Sequence, residues 1–394
     1  MSSPKPSLRQ ASDRAGKYVP QPGGFEAFVP APLPPRDLAL PTEFLRRLSV
    51  ADRALARLDG AASALPDPYP FVFMYVRREA TLSSQIEGTQ ASLVDLLEYE
   101  AEIEKADRRV PVHEISNYIN AMGHGLRRLP ELPVSKRLIR EIHEKLMKDV
   151  RGGLAVQTPG EFRTSQNWIG GTRPDNARFV PPPIDEMHTA LDAWESYMHA
   201  GRNDVPDLVH IALLHAQLET IHPFVDGNGR VGRLLITFLL TERGILAQPL
   251  LYLSIFFKEN RQEYYDRLQA VRDNGDWEGW LDFFIEGVES VATEATDTAR
   301  KIIALRERDR ARVTNELGRR AGPGTKLLNF LFRQPVIRVK TITPVVDLSN
   351  PAANSLVAEF EEMGLLREMT GNKRNRIFEY SEYLSLFSER YQRE

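Results

Sequence analysis

Among the 394 residues there is no cysteine. That excludes disulfide frameworks and cysteine-ligated metal sites. Nor does any apolar run approach the roughly 18 residues of a membrane-spanning helix. The opening stretch, Met1-Ser2-Ser3-Pro4-Lys5-Pro6, lacks the apolar core of an export signal, so a cytoplasmic location is expected. An excess of one charge is missing too. The formal net charge is −3, which argues neither for nor against a nucleic-acid partner. Its distribution is uneven, with 17 basic against 12 acidic residues between Lys301 and Glu394 and an acidic remainder. What is present is ordinary for a soluble protein, 42% hydrophobic and 27% charged residues. A chain of this length exceeds one compact core and predicts two or three domains.

Four segments are expected. Residues 1–40 form a Pro-rich arm, with Pro4, Pro6, Pro20, Pro22, Pro30, Pro32, Pro34 and Pro35, read as extended or disordered. Residues 41–110 read as a helical region, 111–300 as the core, and 301–394 as a connecting helix and a C-terminal domain. Apolar periodicity predicts helices from near Pro41 and at about 71–87, 91–105, 113–127, 135–149, 185–200, 207–221, 228–243 and 261–273. A long helix is expected from Trp277 past Ile303, and Ser135 and Asp207 are expected N-caps. The fold class is therefore all-α, with one exception. Two β-type runs, around Trp168-Ile169 and Phe179-Val180, flank a polar Gly/Pro/Asn turn and predict a small hairpin. A lone hairpin has an open edge to which a partner's strand can add through backbone bonds.

The most informative run is His222-Pro223-Phe224-Val225-Asp226-Gly227-Asn228-Gly229-Arg230-Val231-Gly232-Arg233, set between two apolar helical stretches. Gly227 and Gly229 allow the positive φ angles of an anion-binding backbone nest. The second helix begins at about Asn228, so its positive end meets the same point. Arg230 and Arg233, three residues apart, can reach one ligand from one face. Asp226 can hold a Mg²⁺ ion that bridges phosphate oxygens. His222 can take a proton from a hydroxyl. Together these residues describe a polyphosphate site with a base beside it. The blander alternative, a solvated Asp-Gly-Asn-Gly turn, leaves the co-occurrence of His, Asp, Asn and two Arg unexplained. His210 and His215, on the preceding apolar stretch, read as core residues.

The run resembles the signature of Fic proteins, His-Pro-Phe-x-Asp/Glu-Gly-Asn-Gly/Lys-Arg-x-x-Arg, without departure. The resemblance implies transfer of AMP from ATP to a Ser, Thr or Tyr hydroxyl of target proteins, itself included, with release of pyrophosphate. It implies His222 as base, Asp226 on Mg²⁺, and Gly227, Asn228 and Gly229 as the anion hole, with Val231 and Gly232 completing the nucleotide-binding stretch. Arg230 would grip the β-phosphate and Arg233 the γ-phosphate. Gly229 points to AMP transfer, because the family's kinase-like branch has Lys there. By the same resemblance the hairpin is a flap that docks the target, Gly160-Glu161-Phe162-Arg163 is its lead-in, and Asn260 bonds the adenine, with Tyr264 or Tyr265 available to stack on it. The likeness leaves room for a homodimer.

Upstream, Ser83-Ser84-Gln85-Ile86-Glu87-Gly88 resembles the family's inhibitory motif, Ser/Thr-x-x-x-Glu-Gly/Asn. It implies that Glu87 pairs with Arg233 and withdraws it from the γ-phosphate. In some relatives the same glutamate also supports removal of AMP, which is an alternative activity here. At the C-terminus, three short helical patterns and two β-type runs around Gly371-Asn372-Lys373-Arg374-Asn375 predict a winged helix-turn-helix. A transcription regulator with a nucleotide-sensing Fic domain is the rival of another class. The expected recognition helix offers only Asn350, Asn354 and Ser355 to bases, so DNA binding is not favoured.

Overall fold

The computed structural model describes residues 11–63, 69–101, 109–150, 158–200, 204–372 and 374–387. Residues 1–10 of the arm, the end of the helix expected at 91–105, and Lys373 lie outside the described residues. The chain opens with strands β1 (Gly16–Gln21) and β2 (Phe25–Pro30), then helices α1 (Thr42–Ser63), α2 (Tyr69–Ile86), α3 (Leu93–Glu100) and α4 (Arg109–Arg128). Next come α5 (Lys136–Leu146), α6 (Ile184–Ala200), α7 (Asp207–Ile221), α8 (Asn228–Glu242), α9 (Ser254–Glu259), α10 (Arg261–Asn274) and α11 (Trp277–Glu316). The chain continues through α12 (Ala321–Leu331), β3 (Val336–Arg338), α13 (Val339–Val346), α14 (Asn350–Glu362), β4 (Arg367–Glu368), β5 (Ile377–Glu379) and α15 (Ser381–Ser385).

The chain divides into two compact units, each built from two separated segments. One comprises residues 1–55 and 117–291, the other 56–116 and 292–394. The borders fall inside α1, α4 and α11.

In the first unit α7 is buried from Leu208 to Ile221, as a helix apolar all round must be. It packs on α6 and α8. Helix α5 is amphipathic and buries Leu138, Ile139, Ile142 and Leu146. Ser135 caps it as expected, its side chain accepting the Leu138 N–H at 3.3 Å. Asp207 is instead the first residue of α7, with Pro206 in the cap position.

The Pro-rich arm departs from expectation. Residues 16–30 form an antiparallel hairpin with Gly16 opposite Pro30 and Gln21 opposite Phe25. The prolines permit this by position. The Ala31 N–H bonds Ala15 C=O, whereas the Phe28 N–H points away from β1, so alternation puts Pro30 and Pro20 at non-bonded positions of the ladder. Pro22 opens the turn, where Gly24 N–H reaches Gln21 C=O at 3.3 Å. The expected flap is shorter than a hairpin. It holds one antiparallel bridge, Ile169 to Phe179, around a 3₁₀ turn at Pro174–Asn176.

In the second unit the Arg77 guanidinium lies over the Phe73 ring at 3.1 Å and grips Glu100 through two bonds of 2.7 and 2.8 Å. Arg78 pairs with Glu294 at 2.8 Å. The C-terminal strands form an antiparallel sheet in the order β3-β5-β4. Strand β3 was not foreseen, since Val336-Ile337-Arg338 is short and adjoins a helix directly. Buried Asp309 accepts the hydroxyl of Tyr380, the residue that follows β5.

Two neighbouring helical glycines give a paired test of packing. A Cβ on Gly125 of α4 would meet the buried Phe238 ring at 2.4 Å, whereas one on Gly123 meets only the mobile end of Arg127 at 3.3 Å. Gly123→Ala should stabilise by up to about 1 kcal/mol through helix propensity. Gly125→Ala should destabilise by about 1–3 kcal/mol through overpacking. Urea midpoints of the two variants check this; shifts of the same sign would contradict the packing described.

Candidate active site

The expected loop lies between α7 and α8, and its geometry follows from its sequence. Pro223 disfavours helical backbone at the residue before it. Helix α7 accordingly stops at Ile221, and His222 takes left-handed backbone, φ 51° and ψ 60°. For a non-glycine residue this costs about 1–3 kcal/mol and needs outside support. The support is Arg163. Its Nε donates to His222 C=O at 3.1 Å, its backbone N–H to Pro223 C=O at 2.9 Å, and its other nitrogens to Ser165 and Pro182 C=O. Burial pushes the Arg163 guanidinium down to about 10, so it stays charged at neutral pH.

Beyond Pro223 the chain is closed by an amide. The Asn228 side chain accepts the Phe224 N–H at 2.9 Å and donates to Phe224 C=O at 2.8 Å. Asn167, leading into the flap, donates to the same carbonyl at 2.9 Å. The Phe224 ring is buried and stacks on His143 of α5 at 3.9 Å and 7°. His143 is held neutral by burial, pushed down to about 4. Gly160 N–H donates to its Nδ1 at 2.8 Å, which leaves Nε2–H to donate to Asp226 C=O at 3.0 Å.

Gly227 caps α8 in left-handed backbone, φ 80°, where a Cβ would meet Met147 Sδ at 2.9 Å. Gly229 does not share this conformation; it is helical, the second residue of α8. The nest therefore uses one left-handed glycine and a helix start rather than two. Val231 N–H makes the first helical bond, to Gly227 C=O. The N–H groups of Asn228, Gly229 and Arg230 thus head the helix, where intrahelical partners are lacking by geometry. Arg230 and Arg233 are buried, 4% and 3% exposed, so both charges are held rather than solvated. Arg230 lies 3.6 Å from Met147 Sδ and 3.7 Å from the Asp226 carboxylate. Gly232 lets α8 approach α7 closely, since a Cβ there would meet Glu219 Oε1 at 2.3 Å.

The Asp226 side chain is half exposed, and its Oδ1 accepts the Gly227 N–H at 2.6 Å. Among the described residues no group of three or more His, Asp or Glu could hold a metal by itself. One carboxylate completed by phosphate oxygens is nevertheless the usual Mg²⁺ donor set, so Asp226 fits such an ion.

The remaining expected residues are distributed as follows. Asn260 joins α9 to α10, its Nδ2 donating to Phe256 C=O at 3.0 Å. Tyr264 is buried, stacked on Phe257 at 4.4 Å and donating to His215 Nε2 at 3.0 Å, so it is a core residue rather than a base-stacking one. His210 and His215 are core residues as expected. In the flap, Ile169 and Phe179 pair with each other and Val180 C=O accepts from Phe28 N–H at 2.9 Å, while the Trp168 side chain is 40% exposed. In the other unit, Ser83 is buried, and Glu87 is an exposed residue just past α2. Gly88, φ 105°, ends that helix: Gly88 N–H bonds Gln85 C=O and Thr89 N–H bonds Ser84 C=O, both 3.1 Å. This is the Schellman pattern, which explains the glycine.

Sequence reasoning missed the roles of His143, Asn167 and Arg272. Arg272 of α10 is buried, reaches Glu219 C=O at 3.1 Å and Thr220 Oγ1 at 3.3 Å, and lies over the Phe179 ring at 4.0 Å.

Two family models match parts of this chain. Residues 45–127 match the Fic/DOC family N-terminal domain and residues 133–240 match the Fic/DOC family. The chain is 34% identical over 152 residues to the protein adenylyltransferase Fic of Aedes aegypti, covering 38% of this chain and 27% of that protein. It is 29% identical over 202 residues to a probable protein adenylyltransferase of Aquifex aeolicus, covering 50% of this chain and 56% of that protein. The chain thus spans between about a quarter and just over half of these relatives' lengths. The fold is shared with a Fic family protein from Desulfovibrio desulfuricans, with a TM-score of 0.57 at 16% identity over 87% of this chain and 97% of that one.

The buried histidines beside the loop make stability pH-dependent. Burial pushes His215 from 6.5 down to about 3, while its Nδ1–H donates to Gly232 C=O at 2.9 Å. The unfolded chain binds this proton near pH 6.5 and the folded chain does not. Stability is therefore fully present above about pH 6.5 and falls as pH drops, by about 1.4 kcal/mol per pH unit for one such group. In His215→Gln the urea midpoint should fall less steeply between pH 6.5 and 4.5 than in the parent. Equal slopes would show that His215 is not held neutral.

Proposed function

We propose that this chain, a Fic/DOC family member by the two domains it carries, is a protein adenylyltransferase that moves AMP from ATP to Ser, Thr or Tyr hydroxyls of target proteins, itself included. One observation carries most of the weight: a glycine-capped helix start, flanked by two buried arginines, follows a histidine fixed in left-handed backbone. A helix N-terminus stabilises phosphate through its N–H groups and dipole. The α- and β-phosphates belong at Gly227, Asn228 and Gly229, with Arg230 on the β-phosphate, Arg233 on the γ-phosphate and Asn260 toward the base. His222 takes the hydroxyl proton as the oxygen bonds the α-phosphorus. The bond from that phosphorus to the bridging oxygen of the β-phosphate breaks, and pyrophosphate leaves. Mg²⁺, held by Asp226, would neutralise phosphate charge.

Glu87 is assigned the inhibitory role, pairing with Arg233 and so spoiling the pose of the triphosphate. Its place supports this: a carboxylate at the exposed end of α2 opposes the helix dipole. Removal of AMP remains the alternative use of the same glutamate.

The element order from α12 to β5 supports a winged helix-turn-helix. What weighs against a DNA-binding regulator is that α14 carries no Lys or Arg. Its Ser355 accepts from Arg320 at 2.9 Å, Glu359 pairs with Arg320, and Asn354 donates to Asn350 at 2.9 and 3.0 Å.

In mass spectrometry after incubation with ATP and Mg²⁺, Glu87→Gly should form an adenylyl adduct at least about tenfold faster than the parent. Losing one charge-assisted bond of about 1.5–3 kcal/mol suffices for that. Adding His222→Ala or Arg233→Ala should abolish the adduct. Equal rates for the parent and Glu87→Gly would defeat the inhibitory role, and an unaffected His222→Ala would defeat the base.

The flap's free backbone groups define a second test. Ile169 directs both its N–H and its C=O inward to residues 178 and 179, so by alternation Trp168 before it directs its own outward. Trp168→Pro removes one outward N–H and leaves the bridge intact. Protein labelling should fall at unchanged ATP affinity; unchanged labelling would remove strand addition from the account.

A further inference from the structure

The return strand of the flap has a second neighbour. Phe179 faces Ile169 through the bridge, and the next residue, Val180, accepts the Phe28 N–H at 2.9 Å on the opposite side. One backbone bond thus joins β2 to the flap, with β1 on the other side of β2. The side chains agree. Ala15, Phe28 and Phe179 form a buried cluster against which Tyr18 and Ile169 pack. The Phe28 and Phe179 rings lie 5.9 Å apart, and the Arg272 guanidinium covers the Phe179 ring at 4.0 Å. Arg272 in turn bonds Glu219 and Thr220, at the end of α7 just before His222.

The hairpin is itself anchored to the same unit. Arg14 grips Glu278 through bonds of 3.1 and 2.6 Å, Tyr18 donates to Asp273 at 3.0 Å, and Gln217 of α7 donates to Ala31 C=O at 2.8 Å. A single bridged pair is marginal alone, and three or more strands with an apolar face are needed for an ordered sheet. The N-terminal hairpin supplies those strands.

We propose that residues 14–31 are a built-in extension of the flap sheet, and that Phe28 and Arg272 are positioning residues that fix the return strand relative to His222. The hairpin closes the inner edge of the flap, so an incoming target strand is directed to the outer side at Trp168. The consequence for AMP transfer rests on the function proposed above; the positioning itself does not.

Hydrogen exchange of the flap tests the positioning without any enzymatic readout. With Glu87→Gly as the parent, Phe28→Ala should speed exchange of the Ile169 and Phe179 amides at least tenfold while the amides of α8 are unchanged. Phe28→Leu should restore most of the protection. If Phe28→Ala loosens α8 as well, Arg14→Ala, which releases the hairpin from Glu278 at the surface, is read instead with the same expectation. Flap exchange unchanged in these variants overturns the proposal. Labelling of lysate proteins with a tagged ATP should fall at least tenfold in Phe28→Ala at ATP affinity within twofold of the parent. Faster exchange with intact labelling overturns the directing role of the hairpin. If the parent itself labels nothing, the AMP-transfer reading fails, and exchange alone decides the positioning.

Discussion

One side-chain amide holds the site together. Asn228 closes the loop by accepting the N–H and donating to the C=O of Phe224, four residues earlier. Phe224 is thereby fixed, and with it the ring on which His143 stacks. His143 then bonds Asp226 C=O from below. The residues on both sides of Gly227 are tied down before any ligand arrives. Preorganised N–H donors at a helix start need no rearrangement when charge develops, which is the condition for strong electrostatic stabilisation. An Ala at 228 would leave both Phe224 backbone groups without this partner in a buried setting.

Around this loop, buried arginines act as ties. Arg163 binds four carbonyl groups, counting its backbone N–H, and joins His222 and Pro223 to both ends of the flap. Arg272 joins the end of α7 to Phe179. Carbonyls and hydroxyls satisfy guanidinium donors without cancelling the charge. Desolvation lowers both groups to about 10, still cationic at neutral pH. With Arg230 and Arg233 also buried, the surroundings of the loop suit a polyanion.

The limits of the sequence follow from where the information lies. Helices α7 and α8 were legible to within a residue because their apolar patterns abut a proline and a glycine that stop and start them. Residues 222–233 were recognisable as one loop between two helices because they are contiguous. Gly229 was misjudged, since a glycine that may take positive φ need not do so once a helix has begun. The arm misled for a related reason. Proline excludes helix, but Pro20 and Pro30 fall at ladder positions that need no inward N–H, so a hairpin forms where only extension was foreseen. His143 and Arg272 were invisible because their roles depend on contacts 83 and 93 residues away in the chain, to Asp226 and Phe179. Helix α9 was too short to show a period. Glu87 was recognisable as a motif, and its glycine is explained by the helix end, but its assignment to Arg233 comes from resemblance.

A polyphosphate seated at the start of α8 is the centre of the proposed chemistry. A crystal structure of Glu87→Gly with Mg²⁺ and a non-hydrolysable ATP analogue tests that directly. The prediction is phosphate oxygens accepting the N–H groups of Asn228, Gly229 and Arg230, with Arg233 at the γ-phosphate and His222 facing the α-phosphorus. Phosphates bound elsewhere, with the start of α8 left to solvent, would contradict it.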